Sequence, residues 1–196
     1  MNSTLKKISL FTSVVVALFI WATPVLAAAD TYTIDPVHST VIFRVKHLNI
    51  SYFQGRFNSP NGVLKFNNAD DGQNYVECTV NAADVDTANA DRDKHIRSPD
   101  FLDTNKFETI SFKSKQFKQT GTDTFEVSGD LTLHGVTRPL TVQAIKTGEG
   151  KGMKGENRIG FTAAFTIQRS LFGMDFLLKG VGDEVELIIA LEGIRK

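Results

Sequence analysis

From residue 39 onward the chain alternates apolar and polar positions with a period of two, in short runs bounded by Gly, Asn, Asp and Pro. Within 39–47, Val41, Phe43 and Val45 share one face, while Thr40, Arg44 and Lys46 share the other; Ile42 breaks the pattern. Phe53, Gly55 and Phe57 form the next set, followed by Leu64 and Phe66. After a polar loop at 67–74 come Val76, Cys78 and Val80, and later Ile110 and Phe112, set against Lys113 and Lys115. Phe125, Val127, Gly129, Leu131 and Leu133 run in phase, and across a turn so do Leu140, Val142 and Ala144. A Gly/Lys-rich turn is predicted at 148–155, ahead of Ile159, Phe161, Ala163, Phe165 and Ile167. The last run carries Val185, Leu187, Ile189 and Leu191 inward, with Glu184, Glu186 and Glu192 outward. This pattern predicts eight or nine strands in an all-β, antiparallel domain. Strands with one dry face close into a barrel or pack as a sandwich. A transmembrane barrel needs a continuous outward apolar belt, and charges interrupt the outward positions here. The soluble reading follows.

One segment leaves the strand pattern. Residues 87–98 (TANADRDKHIRS) read as a short helix with almost no apolar face. Asp91 with His95, and Asp93 with Arg97, stand four apart and are expected to pair on its surface. Pro99 cannot continue the helix, so Ser98–Asp100 is read as a fresh cap opening a turn that buries Phe101 and Leu102. The helical region is placed near 87–102.

The N-terminus changes the domain plan. Lys6 and Lys7 precede a mostly apolar run from Ile8 to Ala22, and Val25, Ala27 and Ala29 offer the small residues of a cleavage site. The run is roughly 15 residues, short of the ~20 that span a bilayer. Residues 1–27 therefore read as a secretory signal peptide, and 28–196 as a single domain. Cys78 is the only cysteine, which excludes both an intramolecular disulfide and a lipid-modified cysteine at the cleavage site. Loss of Lys6 and Lys7 leaves 20 basic against 22 acidic residues, a net charge of −2. Nothing in that balance points to nucleic acid.

Candidate chemistry is sparse. Cys78 is in phase with Val76 and Val80 and reads as a small hydrophobe rather than a nucleophile. The four histidines, His38, His47, His95 and His134, lie in four separate segments without metal-ligand spacing, so no metal is predicted. Asp91 beside His95 is a base-catalysis arrangement in principle, with a solvated helix pair as the plainer reading. His47, in phase with Val45, is expected to point inward at the end of its strand, either as a satisfied rim residue or as a donor to a ligand's polar head. His38 is expected outside or in a turn. The inward set mixes large rings with Gly55, Gly129, Ala144 and Ala163. Small residues either complement rings in a full core or leave volume for a ligand, and periodicity leaves both open.

Several segments resemble the YceI-like family: Tyr32–Ser39 (YTIDPVHS) with Phe43–His47 (FRVKH), Val85–Thr87 (VDT), and Asp91–Asp103 (DRDKHIRSPDFLD). Gly129–Leu140 (GDLTLHGVTRPL), Gln168–Met174 (QRSLFGM) and Val181–Val185 (VGDEV) complete the pattern, with Gln168 and Leu171 departing from it. The resemblance covers essentially all of the chain after the leader. It implies an antiparallel, approximately eight-stranded lipocalin-like barrel in the periplasm, with no cofactor and no established catalysis. It also implies an isoprenoid lipid as bound ligand, either an isoprenoid quinone or a polyprenyl pyrophosphate. The inward positions expected to line the ligand space are Val41, Phe43, Val45, His47, Phe57, Val76, Phe112, Phe161, Ala163, Phe165 and Leu187. The family motifs Asp91–Asp103, on the helix, and His134–Pro139, on a hairpin turn, are expected to serve architecture at the barrel's ends. A carrier of such a lipid meets membranes in passing, so transient membrane contact is expected. Two other readings stand beside it: an enzyme acting on a lipid-like substrate through His47 or Asp91/His95, and a structural or stress protein with a filled core.

Overall fold

A computed structural model describes residues 27–196; the predicted leader, apart from its last residue, lies outside the described residues. The described residues form eleven antiparallel strands and one α-helix. The strands are β1 (Asp30–Ile34), β2 (Thr40–His47), β3 (Ser51–Phe57), β4 (Asn61–Phe66), β5 (Tyr75–Asn81), β6 (Val85–Asp86), β7 (Thr109–Gln119), β8 (Thr124–Leu133), β9 (Val136–Lys151), β10 (Asn157–Gln168) and β11 (Val181–Arg195). Helix α1 (Ala90–Arg97) lies between β6 and β7.

Eight of these strands close on themselves in the order β1, β4, β5, β7, β8, β9, β10, β11 and back to β1. Closure works because β11 is long enough to serve two partners. Its last residues pair with β1, Ile194 opposite Thr33, while Val181–Ala190 pair with β2. The wall is therefore built from β1 and β4 at one end. At the other it is extended by β2, β3 and the short β6, stacked in that order from the edge of β11. The alternation is strict in β8, where Phe125, Val127, Gly129, Leu131 and Leu133 are all buried and the residues between them are not. The β8–β9 hairpin turns on His134 and Gly135, both with positive φ (51° and 72°), as a two-residue turn with the twist of its strands requires.

Two strands, β1 and β6, were not expected. β1 is only five residues long, although Tyr32 and Ile34 alternate inward. β6 has two residues and exists as a strand only because Arg56 and Phe57 of β3 pair with it. The turn predicted at 148–155 is also displaced. β9 continues to Lys151, with Gly148 opposite Gly160 and Gly150 opposite Arg158, and the chain reverses over 152–156. A partner strand supplies the ladder hydrogen bonds that glycine's own propensity does not favour. Ladder pairing between β9 and β10 ends at Ala144 opposite Ala163. Beyond it, Pro139 sits on a free edge of β9, where its missing N–H costs no bond.

Helix α1 starts at Ala90, because the Asn89 side chain accepts the Arg92 N–H at 2.9 Å and caps it there. Neither predicted surface pair forms. Asp93 is buried and accepts the Thr87 N–H at 2.8 Å, while Arg97 donates to the carbonyls of Ala83 (2.7 Å) and Val85 (2.6 Å). His95 Nε2 lies 2.9 Å from the Asp100 carboxylate rather than on Asp91. Tertiary partners outcompete exposed i,i+4 pairs, which are worth only about 0.3–0.5 kcal/mol. Ser98 ends α1 and, as read, caps the turn that follows, its hydroxyl accepting the Asp100 N–H at 3.3 Å and its carbonyl the Phe101 N–H at 3.0 Å. Leu102 is buried as expected, whereas Phe101 is only partly buried.

A polar latch joins the β1–β2 corner to the barrel. Buried Asp35 accepts from His38 Nδ1 and from Arg158 Nη1, both at 2.8 Å, and from the Val37 N–H at 2.9 Å. Arg158 also pairs with Glu156 and Glu192. The His38 hydrogen bond is the main reason that the Asp35 carboxyl lies well below the usual carboxylate range; the Val37 N–H and Arg158 add to it, against the opposing effect of burial. A carboxyl depressed in the folded state contributes stability above its unfolded value of about 3.9, lost as pH falls toward its folded value. Asp35→Asn is therefore expected to cost about 1–3 kcal/mol at neutral pH and to shed part of the acid sensitivity below about pH 4. Urea midpoints at neutral and acid pH check this; equal acid slopes in the two proteins would remove Asp35 from the account.

Candidate ligand cavity

The barrel is full at one end and hollow at the other. At the full end Phe66, Phe125 and Phe161 pack edge to face, with centroids 5.3–6.3 Å apart, and Phe117 joins Phe125 at 6.4 Å. Ile159, Tyr32 and Val127 complete this plug. The Lys146 ammonium sits 5.2 Å above the Phe66 ring and pairs with Glu149 at 2.9 Å. Above the plug lies a cavity of about 780 Å³, walled almost entirely by apolar atoms. That volume falls within the ~300–1,000 Å³ of pockets that enclose small molecules. Along β10 its wall runs from Phe161 to Ile167, six residue steps or about 20 Å of strand.

The wall comprises all eleven positions read as inward: Val41, Phe43, Val45, His47, Phe57, Val76, Phe112, Phe161, Ala163, Phe165 and Leu187. They come from β2, β3, β5, β7, β10 and β11. The question of the small residues is divided. Gly55 and Gly129 complement rings: a Cβ on Gly55 would lie 2.4 Å from the Phe43 ring, and one on Gly129 2.7 Å from Phe112. Ala144 and Ala163 do the opposite. They face each other across the β9–β10 ladder and both border the cavity, so their missing bulk is space.

His47 lies at the mouth rather than inside. It is exposed, and its ring meets the Phe53 ring edge-on at 6.4 Å. The in-phase expectation gave the face correctly, but β2 ends there and leaves the ring in the opening. Ser51, Asp91, Arg92 and His95 border the same opening. Arg92 is held by the Thr87 hydroxyl (2.8 Å) and carbonyl (2.7 Å), its guanidinium 5.0 Å from the Phe53 ring. His95 stands in an aromatic group with Phe101 (5.0 Å) and Phe176 (5.9 Å). Asp91 and His95 thus do not form a catalytic pair. His38 is mostly exposed, beside Asp35 in the latch. The cluster of Asp35, His38 and Glu192 has the composition of a metal site, but Arg158 already bridges its two carboxylates.

Sequence reading missed the other half of the mouth. Ile96 of α1, Phe101 and Leu102 after it, and Met174 and Leu177 before β11 all border the cavity. They lie in segments without period two. Buried Arg169 organises the last of these, donating to the carbonyls of Met174 (2.7 Å), Phe176 (2.9 Å), Val181 (2.7 Å) and Gly182 (2.9 Å). Burial pushes its pKa down, opposed by Asp183 and Asp175. Asp183 in turn accepts from the Ser170 N–H and hydroxyl, each at 2.8 Å. The signal was present in the run QRSLFGM, as an arginine just ahead of Leu171, Phe172 and Met174.

Cys78 borders the cavity, and burial pushes its thiol up to about 12. Since the thiolate is the reactive form, iodoacetamide at mildly alkaline pH is expected to label the folded protein on the order of a hundredfold more slowly than the urea-unfolded chain. Equal rates would show that the thiol is not enclosed.

The comparisons with known proteins bear on this architecture. The sequence profile of the YceI-like domain matches residues 32–193. A UPF0312 protein of Shewanella oneidensis is 41% identical over 175 residues, covering 88% of this chain and 92% of its own. One from Pseudomonas aeruginosa is 40% identical over 172 residues, covering 87% and 90%. Among solved structures, a YceI protein of Campylobacter jejuni superposes with a TM-score of 0.69 at 29% identity, covering 77% of this chain and 90% of its own. BcnA of Burkholderia cenocepacia shares the fold with a TM-score of 0.74 at 22% identity, covering 81% and 98%. A domain from Saccharophagus degradans described as polyisoprenoid-binding shares it at 0.68 and 16% identity, covering 84% and 98%. With a closed eight-strand barrel, a one-ended cavity and a profile match across nearly the whole described chain, the protein belongs to the YceI-like family.

Proposed function

We propose that the protein holds a long isoprenoid lipid, with the apolar tail along the cavity and the polar head among the mouth residues, and sequesters or carries it in the periplasm. The observation that carries this reading is the one-ended apolar cavity with its polar groups at the opening. A filled-core structural role leaves that volume without a purpose. The kinship with a domain described as polyisoprenoid-binding supports the choice of ligand class. A binding role rather than an enzymatic one is supported by the neutral Cys78 thiol and by the partners of His95, which orient it on Asp100.

The energetics suit a carrier. A tail leaving water gains ~0.8 kcal/mol per methylene, but a tail leaving a bilayer was already dry. Transfer between bilayer and barrel is then near balance, which favours reversible pick-up and delivery.

Native mass spectrometry of the protein from a periplasmic fraction tests ligand and location together. The expected chain begins at Ala28 or Asp30 and carries a co-purified apolar ligand that organic extraction releases. A mass retaining residues 1–27 contradicts export. Protein that never carries lipid, from any preparation, contradicts the ligand.

A further inference from the structure

The hollow end of the barrel exposes apolar side chains around the cavity mouth. Two loops meet there, the 48–50 turn between β2 and β3 and the 173–180 segment before β11, joined by the Leu48 N–H on the Gly180 carbonyl at 2.7 Å. Leu48, Ile50, Leu177, Leu178 and Phe176 are exposed on them, Ile50 to 82%. The loops continue into the cavity mouth, since His47, Ser51, Leu177 and Val181 border it. Single exposed apolar residues are ordinary, but five gathered around one opening mark an interaction surface.

Backbone conformation adds weight. Leu48 and Leu177 both adopt the left-handed region, with φ of 51° and 53°. Glycine or asparagine would sit there with less strain. At 48 the turn itself requires that conformation, since Leu48 and Asn49 are the two central residues of a turn closed by the Ile50 N–H on the His47 carbonyl at 2.9 Å; leucine, more than half exposed at both positions, is nevertheless what stands there. The side chains themselves are what these sites present.

Charge identifies the occupant. Segments 46–52 and 173–181 contain Lys46, His47 and Lys179 against a single carboxylate, Asp175, which acts on the buried Arg169, although the whole chain has equal numbers of acidic and basic residues. Apolar tips backed by lysines suit shallow insertion at an anionic lipid surface, tips below the headgroups and ammonium groups among the phosphates. We propose that this rim docks the cavity mouth onto the surface of an anionic bilayer, so that a tail passes between membrane and barrel without crossing water. Its purpose rests on the lipid-binding reading, but docking is measurable without any isoprenoid.

The test is flotation of lipid-stripped protein with vesicles of phosphatidylethanolamine containing phosphatidylglycerol, beside vesicles of phosphatidylcholine alone. The variant is Ile50→Ser/Leu178→Ser, whose two side chains are exposed and do not border the cavity. Wild type is expected to float with the anionic vesicles, less so at high salt and with phosphatidylcholine. The double variant is expected to partition about tenfold less or worse, with unchanged melting temperature and unchanged lipid content as isolated. Wild type remaining at the bottom of the gradient, or a variant floating equally well, overturns docking while leaving lipid retention to its own measurement. Wild type that dimerises and a variant that does not, neither floating, overturns it in favour of a second copy of this chain.

Discussion

Replacing Ala163 by Trp is expected to abolish lipid retention while leaving the fold intact. Ala163 lies between Phe161 and Phe165 on the inner face of β10, opposite Ala144 of β9 and Ile189 of β11. Both alanines border the 780 Å³ cavity, so an indole grown from Ala163 enters open space rather than packed side chains. It then occupies the volume assigned to the tail. The expected change in unfolding free energy is small, below about 1 kcal/mol, whereas overpacking of a full core costs ~1–3 kcal/mol or more. The two outcomes form opposite pairs: lipid lost with stability kept, or stability lost with no lipid detected in the wild type. Native mass spectrometry and the urea midpoint, read together, separate them. The second pair would refute the carrier reading.

The largest loss of stability from a single substitution is expected at Arg169. Its guanidinium satisfies four backbone carbonyls of the segment that leads into β11, and it does so while buried. Arg169→Met keeps much of the apolar stem but leaves those carbonyls without donors. A hydrogen bond from a charged group contributes ~1.5–3 kcal/mol, so with partial rescue by water the loss is about 3 kcal/mol or more. For a chain of this size that corresponds to a fall in melting temperature of about 6–12 °C. Arg169→Lys is not expected to restore it, because a single ammonium cannot reproduce the planar fork that spans Met174, Phe176, Val181 and Gly182. Lipid retention should fall with stability, since Met174 and Leu177 of the same segment wall the mouth. Circular-dichroism melts of the three proteins check the ranking. A Lys variant as stable as wild type would show that the fork is dispensable.

Much of the wall was legible because a closed barrel is a periodic object. Each strand that faces a dry interior must place its apolar residues two apart, and Val41 to Val45, Phe125 to Leu133, Phe161 to Ile167 and Val185 to Leu191 do so. The mouth was not legible for the matching reason. Arg92, Ile96, Phe101, Met174, Leu177 and Arg169 come from α1, the loop after it, a 3-10 turn at Arg169–Phe172 and the loop before β11. Their placement depends on side-chain-to-backbone bonds with no periodic spacing, such as Thr87 for Asp93 and the 174–182 carbonyls for Arg169, between five and thirteen residues away. The same holds for β6, two residues that become a strand only where Arg56 and Phe57 arrive beside them. The surface pairs predicted on α1 failed because buried carbonyls and hydroxyls offered Asp93 and Arg97 better partners than each other.

The amino-acid sequence by itself determined the all-β class, the inward face of most strands and the enclosure of Cys78, since each follows from local alternation and burial preference. It also carried the motifs of the family. Whether the small inward residues make space or fill it was decided only by tertiary structure. Gly55 and Gly129 meet rings, whereas Ala144 and Ala163 meet each other across two paired strands and leave the interior open between them. Alternation fixes which way a side chain points. What stands opposite it depends on strand order and register, and those are set by closure of the whole sheet.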